Sequence, residues 1–125
     1  MALGLIKESL ESTGKFIVLL EKANLTSNIL FFGHFVLNAE TRMLQWKEDE
    51  PIPVTCRENK ILFLLLENAG NVVKRRSILT SFWGDESAYA SRSLDIFIHR
   101  LRKKLNKDPS VTIHTIRGEG FMLTY

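Results

Sequence analysis

The spacing of hydrophobic residues changes several times along the chain, and each change marks an element. The clearest is "SRSLDIFIHRLRKKL", Ser91 to Leu105. At 100° per residue from Leu94, Ile98 falls at about 40°, Leu101 at about 340° and Leu105 at about 20°, with Phe97 at the margin at about 300°. Arg92, His99, Lys103, Ile96 and Arg100 collect on the far side, between about 140° and 240°. The pattern predicts a helix with one core face and one cationic face, the latter carrying a single aliphatic in its middle.

Two helices are expected ahead of it. Thr55-Cys56-Arg57-Glu58 has the form of a capping box, in which each end side chain satisfies an orphan backbone N–H, and Ile61, Leu62, Leu65 and Leu66 follow as an apolar stripe. Gly70 supplies a left-handed stop. A second helix is expected from about Lys74 to Trp83, with Ile78, Leu79 and Phe82 inward and Gly84 at its end. "DESAYAS" then reads as a polar loop.

Outside the helices the period is shorter. "ILFFGHFVLN", "RMLQW" and "PIPVT" are β-rich runs separated by "AET" and "KEDE", as in an antiparallel meander. Pro51 and Pro53 lack backbone donors, so the last strand should be short and lie at an edge. After a turn at Asp108-Pro109, "VTIHTI" and "FMLTY" form a terminal hairpin joined by Arg117-Gly118-Glu119-Gly120. Residues 1–28 have no single reading: "LGLIKESLES" suits a helix, while "KFIVLLEK" suits either strand or helix. They are taken as a linker or N-terminal extension, and residues 29–125 as one domain.

Composition narrows the classes. No apolar run reaches the roughly 18 to 20 residues of a membrane span, and no secretory signal is present, which predicts a cytoplasmic protein. Cys56 is the only cysteine, and His34, His99 and His114 are scattered, so neither an internal disulfide nor a metal or other cofactor is expected. The net charge of +3 is unevenly placed, with 5 Lys/Arg against 7 Asp/Glu up to Cys56 and 12 against 7 after it. The basic half is where a polyanion would bind.

Two details make the cationic face more than a solvated one. Asp95 is the only carboxylate in the stretch, so the cations repel one another uncompensated. Ile96 lies among them, where contact with a thymine methyl is favourable and contact with water is not. Both fit a helix laid in the major groove, with the preceding helix crossing the backbone. Arg117, beside Gly118 and Gly120, suits a hairpin tip entering a narrow minor groove whose negative potential attracts guanidinium. RNA and an acidic protein partner are the rival ligands. An enzyme is not expected, since no His can be paired with Cys56.

Taken together, "LNAETRMLQW", "VTCRENKILFLLLENAGNVVKRRSIL", "FWG", "SRSLDIFIHRLRKKL" and "TIRGEGFML" resemble the winged-helix effector domain of OmpR/PhoB-type response regulators over roughly Leu30 to Tyr125. The resemblance implies an α+β winged helix-turn-helix: a four-stranded antiparallel sheet, three helices and a C-terminal β-hairpin wing. It implies sequence-specific binding of bacterial promoter DNA, in tandem on direct repeats, by a weak or DNA-induced dimer. It places Arg92, Ile96, His99, Arg100 and Lys103 at base edges, Arg117 in the minor groove, and Arg75, Trp83, Arg102 and Thr115 on phosphates. Asp85, Glu86, Ser87, Ala88, Tyr89 and Ala90 correspond to a loop that faces RNA polymerase. A receiver domain phosphorylated by a sensor kinase normally precedes this domain, and residues 1–28 are too few to be one. The chain departs from the family at Cys56, where proline is common, at Phe97, often polar, at His99, often arginine, and at Phe121, usually tyrosine.

Overall fold

The computed structural model describes residues 28–125, so the expectations for residues 1–27 lie outside the described residues. The described residues fall into two compact units, residues 28–53 and Val54–Tyr125.

The described part of the first unit is an antiparallel sheet of β1 (Ile29–Phe32), β2 (Phe35–Asn38), β3 (Met43–Trp46) and β4 (Ile52–Pro53), in that spatial order. "ILFFGHFVLN" is therefore two strands rather than one run. Gly33 takes φ +58° in the two-residue turn that pairs Phe32 with Phe35, a conformation mirror-image hairpin turns require. All four residues of β2 are buried. Asn38, its one buried polar residue, accepts the backbone N–H groups of Glu40 and Thr41 at 3.0 and 3.1 Å and so builds the next turn. β4 is two residues long at the sheet edge, as Pro53 within it and Pro51 just before it demand.

The second unit holds α1 (Cys56–Glu67), β5 (Val73–Lys74), α2 (Arg75–Phe82), α3 (Ala88–Leu105), β6 (Thr112–Ile116) and β7 (Gly120–Thr124). Both halves of the α1 capping box are made: Glu58 N donates to Thr55 Oγ1 at 3.2 Å and Thr55 N to Glu58 Oε1 at 2.8 Å. Leu66 is only half-buried, unlike Ile61, Leu62 and Leu65. α1 stops at Glu67, where the Asn68 side chain donates to Leu64 O; the left-handed residue Gly70, φ +83°, comes later and donates its N–H to Leu123 O. Gly84 closes α2 as expected, at φ +78° with its N–H on Leu79 O.

Two features differ from the sequence reading. α3 begins at Ala88, inside "DESAYAS", because the Ser87 hydroxyl caps Ala90 N at 3.1 Å and two alanines favour the first turn. The terminal hairpin gains a third strand, β5, giving the order β5-β7-β6. Gly120 permits this: a Cβ there would lie 2.0 Å from Val73 O. Its missing side chain serves strand packing rather than a slender hairpin tip.

The core face of α3 is Leu94, Ile98, Leu101 and Leu105, each at most 2 % exposed. In the same unit Ile61, Leu62, Leu65, Ile78, Leu79, Ile113, Phe121 and Leu123 are also buried. At about 1.5 to 3 kcal/mol for each fully buried large aliphatic, the four α3 residues fix the helix's rotation and therefore what its other side presents.

Candidate nucleic-acid interface

With the leucines inward, Arg92, Ile96, His99, Arg100 and Lys103 are all exposed on the opposite side of α3. Ile96 is 51 % exposed, a large aliphatic in water with cations around it. The side chains of Arg92, His99 and Lys103 make no hydrogen bond or ion pair with any described residue. Arg117, exposed at the hairpin tip beside left-handed Gly118, φ +75°, makes none either.

The side chains matched to phosphate positions are held differently. Arg75, the first residue of α2, donates Nη1 to Asp95 Oδ1 at 2.8 Å, and Nη2 to Ser91 O at 2.8 Å and Ser91 Oγ at 2.6 Å. Asp95 therefore balances a cation of another helix, and Arg75 ties α2 to the first half of α3. Arg102 donates Nε and Nη2 to Ile113 O at 3.0 and 2.7 Å, and Nη2 to Thr115 Oγ1 at 2.8 Å. It fastens the second half of α3 to β6. Both guanidiniums keep unused N–H donors after these bonds, and Thr115 keeps its hydroxyl proton.

Trp83 and Phe97 form an edge-on pair, ring centroids 5.9 Å apart at 61°. Arg57 of α1 lies over the Trp83 ring at 4.3 Å, and Arg100 over the Phe97 ring at 5.4 Å. Arg57, Ser91 and Asp95 are the contributors that sequence reasoning left unassigned. Only the i, i+3 spacing of Phe97 and Arg100 announced any of these contacts.

The segment matched to a polymerase-facing loop is part loop and part helix. Asp85 Oδ1 accepts Ser87 N at 2.9 Å, and that backbone bond holds the carboxyl below the usual aspartate range. Ala88 and Tyr89 belong to the first turn of α3, with Tyr89 72 % exposed, while Ala90 is buried and unavailable to a partner. Arg76 pairs with Glu86 at 3.1 Å on the same side.

Beneath this surface Lys104 Nζ donates to Glu58 Oε1 at 2.6 Å, joining α1 to α3. Burial alone would raise the Glu58 carboxyl, but the Lys104 hydrogen bond and the Thr55 N–H outweigh it, and the net shift is downward.

An amphipathic helix with an open cationic face, a second helix clamped to it by Arg75 and a hairpin fastened to it by Arg102 define a winged helix-turn-helix DNA-binding module. Residues 49–123 match the family model described as "Transcriptional regulatory protein, C terminal". The chain belongs to this family, that of the DNA-binding effector domains of OmpR/PhoB-type response regulators, which regulate transcription and are not enzymes.

Among its relatives, the transcriptional regulatory protein RprY of Bacteroides fragilis is 32% identical over 102 residues, 82% of this chain and 43% of that protein. The heme response regulator HssR of Staphylococcus saprophyticus is 35% identical over 96 residues, 76% of this chain and 42% of that protein. The chain thus spans less than half the length of these relatives. Of solved structures, the Klebsiella pneumoniae RstA DNA-binding domain in complex with the RstA box aligns with TM-score 0.63 and 26% identity, covering 77% of this chain and 96% of that one. The Thermotoga maritima response regulator DrrB aligns with TM-score 0.66 and 32% identity, covering 90% of this chain and 52% of that one.

Proposed function

We propose that residues 29–125 act as one domain that reads promoter DNA by laying α3 in the major groove. The observation that carries this is the exposed set Arg92, Ile96, His99, Arg100 and Lys103 lying opposite four buried aliphatics. Arg100, Lys103 and Arg92 address guanine edges, and Ile96 a thymine methyl. Arg117 enters the adjacent minor groove. Arg75, Trp83, Arg102 and Thr115 line the phosphate path, where the remaining donors of the two tied arginines orient the domain without reading sequence. Because protein bonds fix those arginines beforehand, little side-chain freedom is lost when a phosphate arrives.

The domain binds direct repeats as a weak or DNA-induced tandem dimer. Asp85 to Tyr89 present the surface towards RNA polymerase, with Tyr89 its large exposed hydrophobic side chain. A receiver domain phosphorylated by a sensor kinase controls the domain in the bacterial cytoplasm.

Selection of bound sequences from a random duplex pool tests the reading and supplies the site. The expected result is a defined motif whose affinity falls with salt at a log–log slope of about −0.9 per neutralised phosphate, and steeply because several contacts act together. Failure to enrich any motif, or an affinity indifferent to salt, contradicts it.

A further inference from the structure

The exposed polar side chains on the outer face of α3 are not held alike. Arg92, His99 and Lys103 project from the helix with no partner among the described residues, whereas Arg100 rests on an aromatic ring. That ring belongs to Phe97, three residues earlier and on the same flank of the helix, with the Arg100 guanidinium carbon 5.4 Å from its centroid. Phe97 is half-buried, and its other neighbour is Trp83 from the end of α2, edge-on at 5.9 Å. Trp83 in turn carries the Arg57 guanidinium at 4.3 Å. One stack therefore runs Arg57, Trp83, Phe97, Arg100 through three helices, with a cation at each end and an edge-to-face aromatic pair between.

We propose that Phe97 is a positioning residue that fixes the guanidinium of Arg100 before DNA arrives, and so sets the base discrimination of this domain without itself touching a base. The inference rests on the reading of α3 as the helix that meets the duplex. Its physical basis is twofold. A guanidinium is attracted to the negative face of a ring, most strongly where water is partly excluded. A free arginine explores many rotamers and loses them on binding, whereas one already stacked loses fewer per hydrogen bond formed. The gain falls on the bidentate contact, whose geometry is demanding, and not on the diffuse attraction between cations and phosphates. Trp83 supports the ring: its edge contact favours the Phe97 rotamer that lies under Arg100. Aliphatic side chains of similar size would fill the same space and supply no face.

The test is a double-mutant cycle read as discrimination. The probes are a duplex carrying the motif selected from the random pool, and the same duplex with the base pair changed at the position where Arg100→Ala loses preference. The ratio of the two dissociation constants is measured for wild type, Phe97→Leu, Phe97→Tyr, Arg100→Ala and Phe97→Leu/Arg100→Ala, together with affinity for a scrambled duplex. Phe97→Leu is expected to lower the ratio by about two- to five-fold, the worth of a partly exposed cation–π contact, and to leave the scrambled duplex unaffected. Phe97→Tyr keeps the ratio, and Phe97→Leu has no further effect once Arg100 is alanine. In the free protein, the side-chain protons of Arg100 should show an upfield ring-current shift that Phe97→Leu abolishes and Phe97→Tyr preserves. An unchanged ratio, an equal loss in the Arg100→Ala background, or Arg100 protons unshifted in the wild type overturns the inference. A wild-type domain with no preference for any base pair would overturn the function itself and this inference with it; a specific wild type with an additive cycle overturns the inference alone.

Discussion

Replacing Lys104 by methionine should destabilise this domain by an amount that depends on pH. In the wild type Glu58 is 1 % exposed, and its Oε1 receives the Lys104 ammonium at 2.6 Å and the Thr55 N–H at 2.8 Å. Its Oε2 is buried with no hydrogen-bond partner among the described residues. Burial is the largest influence on this carboxyl and acts upward; the attached donors more than offset it. Methionine keeps the length and apolar stem of the lysine and removes only the ammonium. Breaking a fully buried pair from one side costs about 3 to 5 kcal/mol; here the Lys104 side chain is 27 % exposed and the Thr55 bond survives, so the expected cost is about 1 to 2 kcal/mol. For a domain of this size that is a drop in Tm of roughly 4 to 16 °C at neutral pH.

The sign follows from the same groups. With its pKa lowered in the folded wild type, Glu58 adds stability above its unfolded value, about 4.3, and loses it as pH falls through the lower folded value. In Lys104→Met only the Thr55 bonds are left to oppose burial, so the folded pKa rises from its wild-type position and the loss relative to wild type shrinks as acidification protonates Glu58. Thermal and urea unfolding followed by circular dichroism from pH 7 down to pH 4 measures both. A variant as stable as the wild type at pH 7, or one whose loss does not shrink on acidification, would refute the argument.

The other predictions concern the surface and the hairpin. Arg100→Ala and Lys103→Ala should each weaken binding to the selected duplex, by about 1 to 3 kcal/mol where a bidentate base contact is lost, with Tm almost unchanged; titration calorimetry and a thermal scan separate this from a folding defect. Arg117→Ala should cost most on sites with a narrow, A·T-rich minor groove, and equal losses on all duplexes would make Arg117 a plain phosphate contact. Gly120→Ala should destabilise the domain, because its Cβ would meet Val73 O at 2.0 Å and force β5 off β7; loss of amide protection in Val73 and Lys74 by hydrogen exchange would locate the damage, and intact protection would contradict it.

What the sequence disclosed was mainly what neighbouring residues decide among themselves. The Thr55–Glu58 capping box closes over three residues, and the α3 wheel is a matter of 3.6-residue periodicity, so both could be read directly. β5 could not: two residues become a strand only because β7, almost fifty positions later, offers glycine opposite them. The start of α3 was missed because "DESAYAS" is polar enough for a loop, while its Ser87 is also a good cap. In the site, exposure of the α3 cations followed from the wheel. The inward ties of Arg75 and Arg102 did not, since their partners lie on other elements at separations that no pattern encodes. In the Arg57–Trp83–Phe97–Arg100 stack only the Phe97–Arg100 link is local; the other two were hidden for the same reason, although Phe97 had already stood out as a departure from the family.

The most direct test of the central claim is a titration of the isotope-labelled domain with the selected duplex, followed through its amide and arginine side-chain resonances. The account predicts that the largest changes fall on Arg92, Ile96, His99, Arg100, Lys103 and Arg117, while the amides of Leu94, Ile98, Leu101 and Leu105 shift far less. Resonances of the exposed α3 face that stay in place while the duplex is bound elsewhere would contradict it.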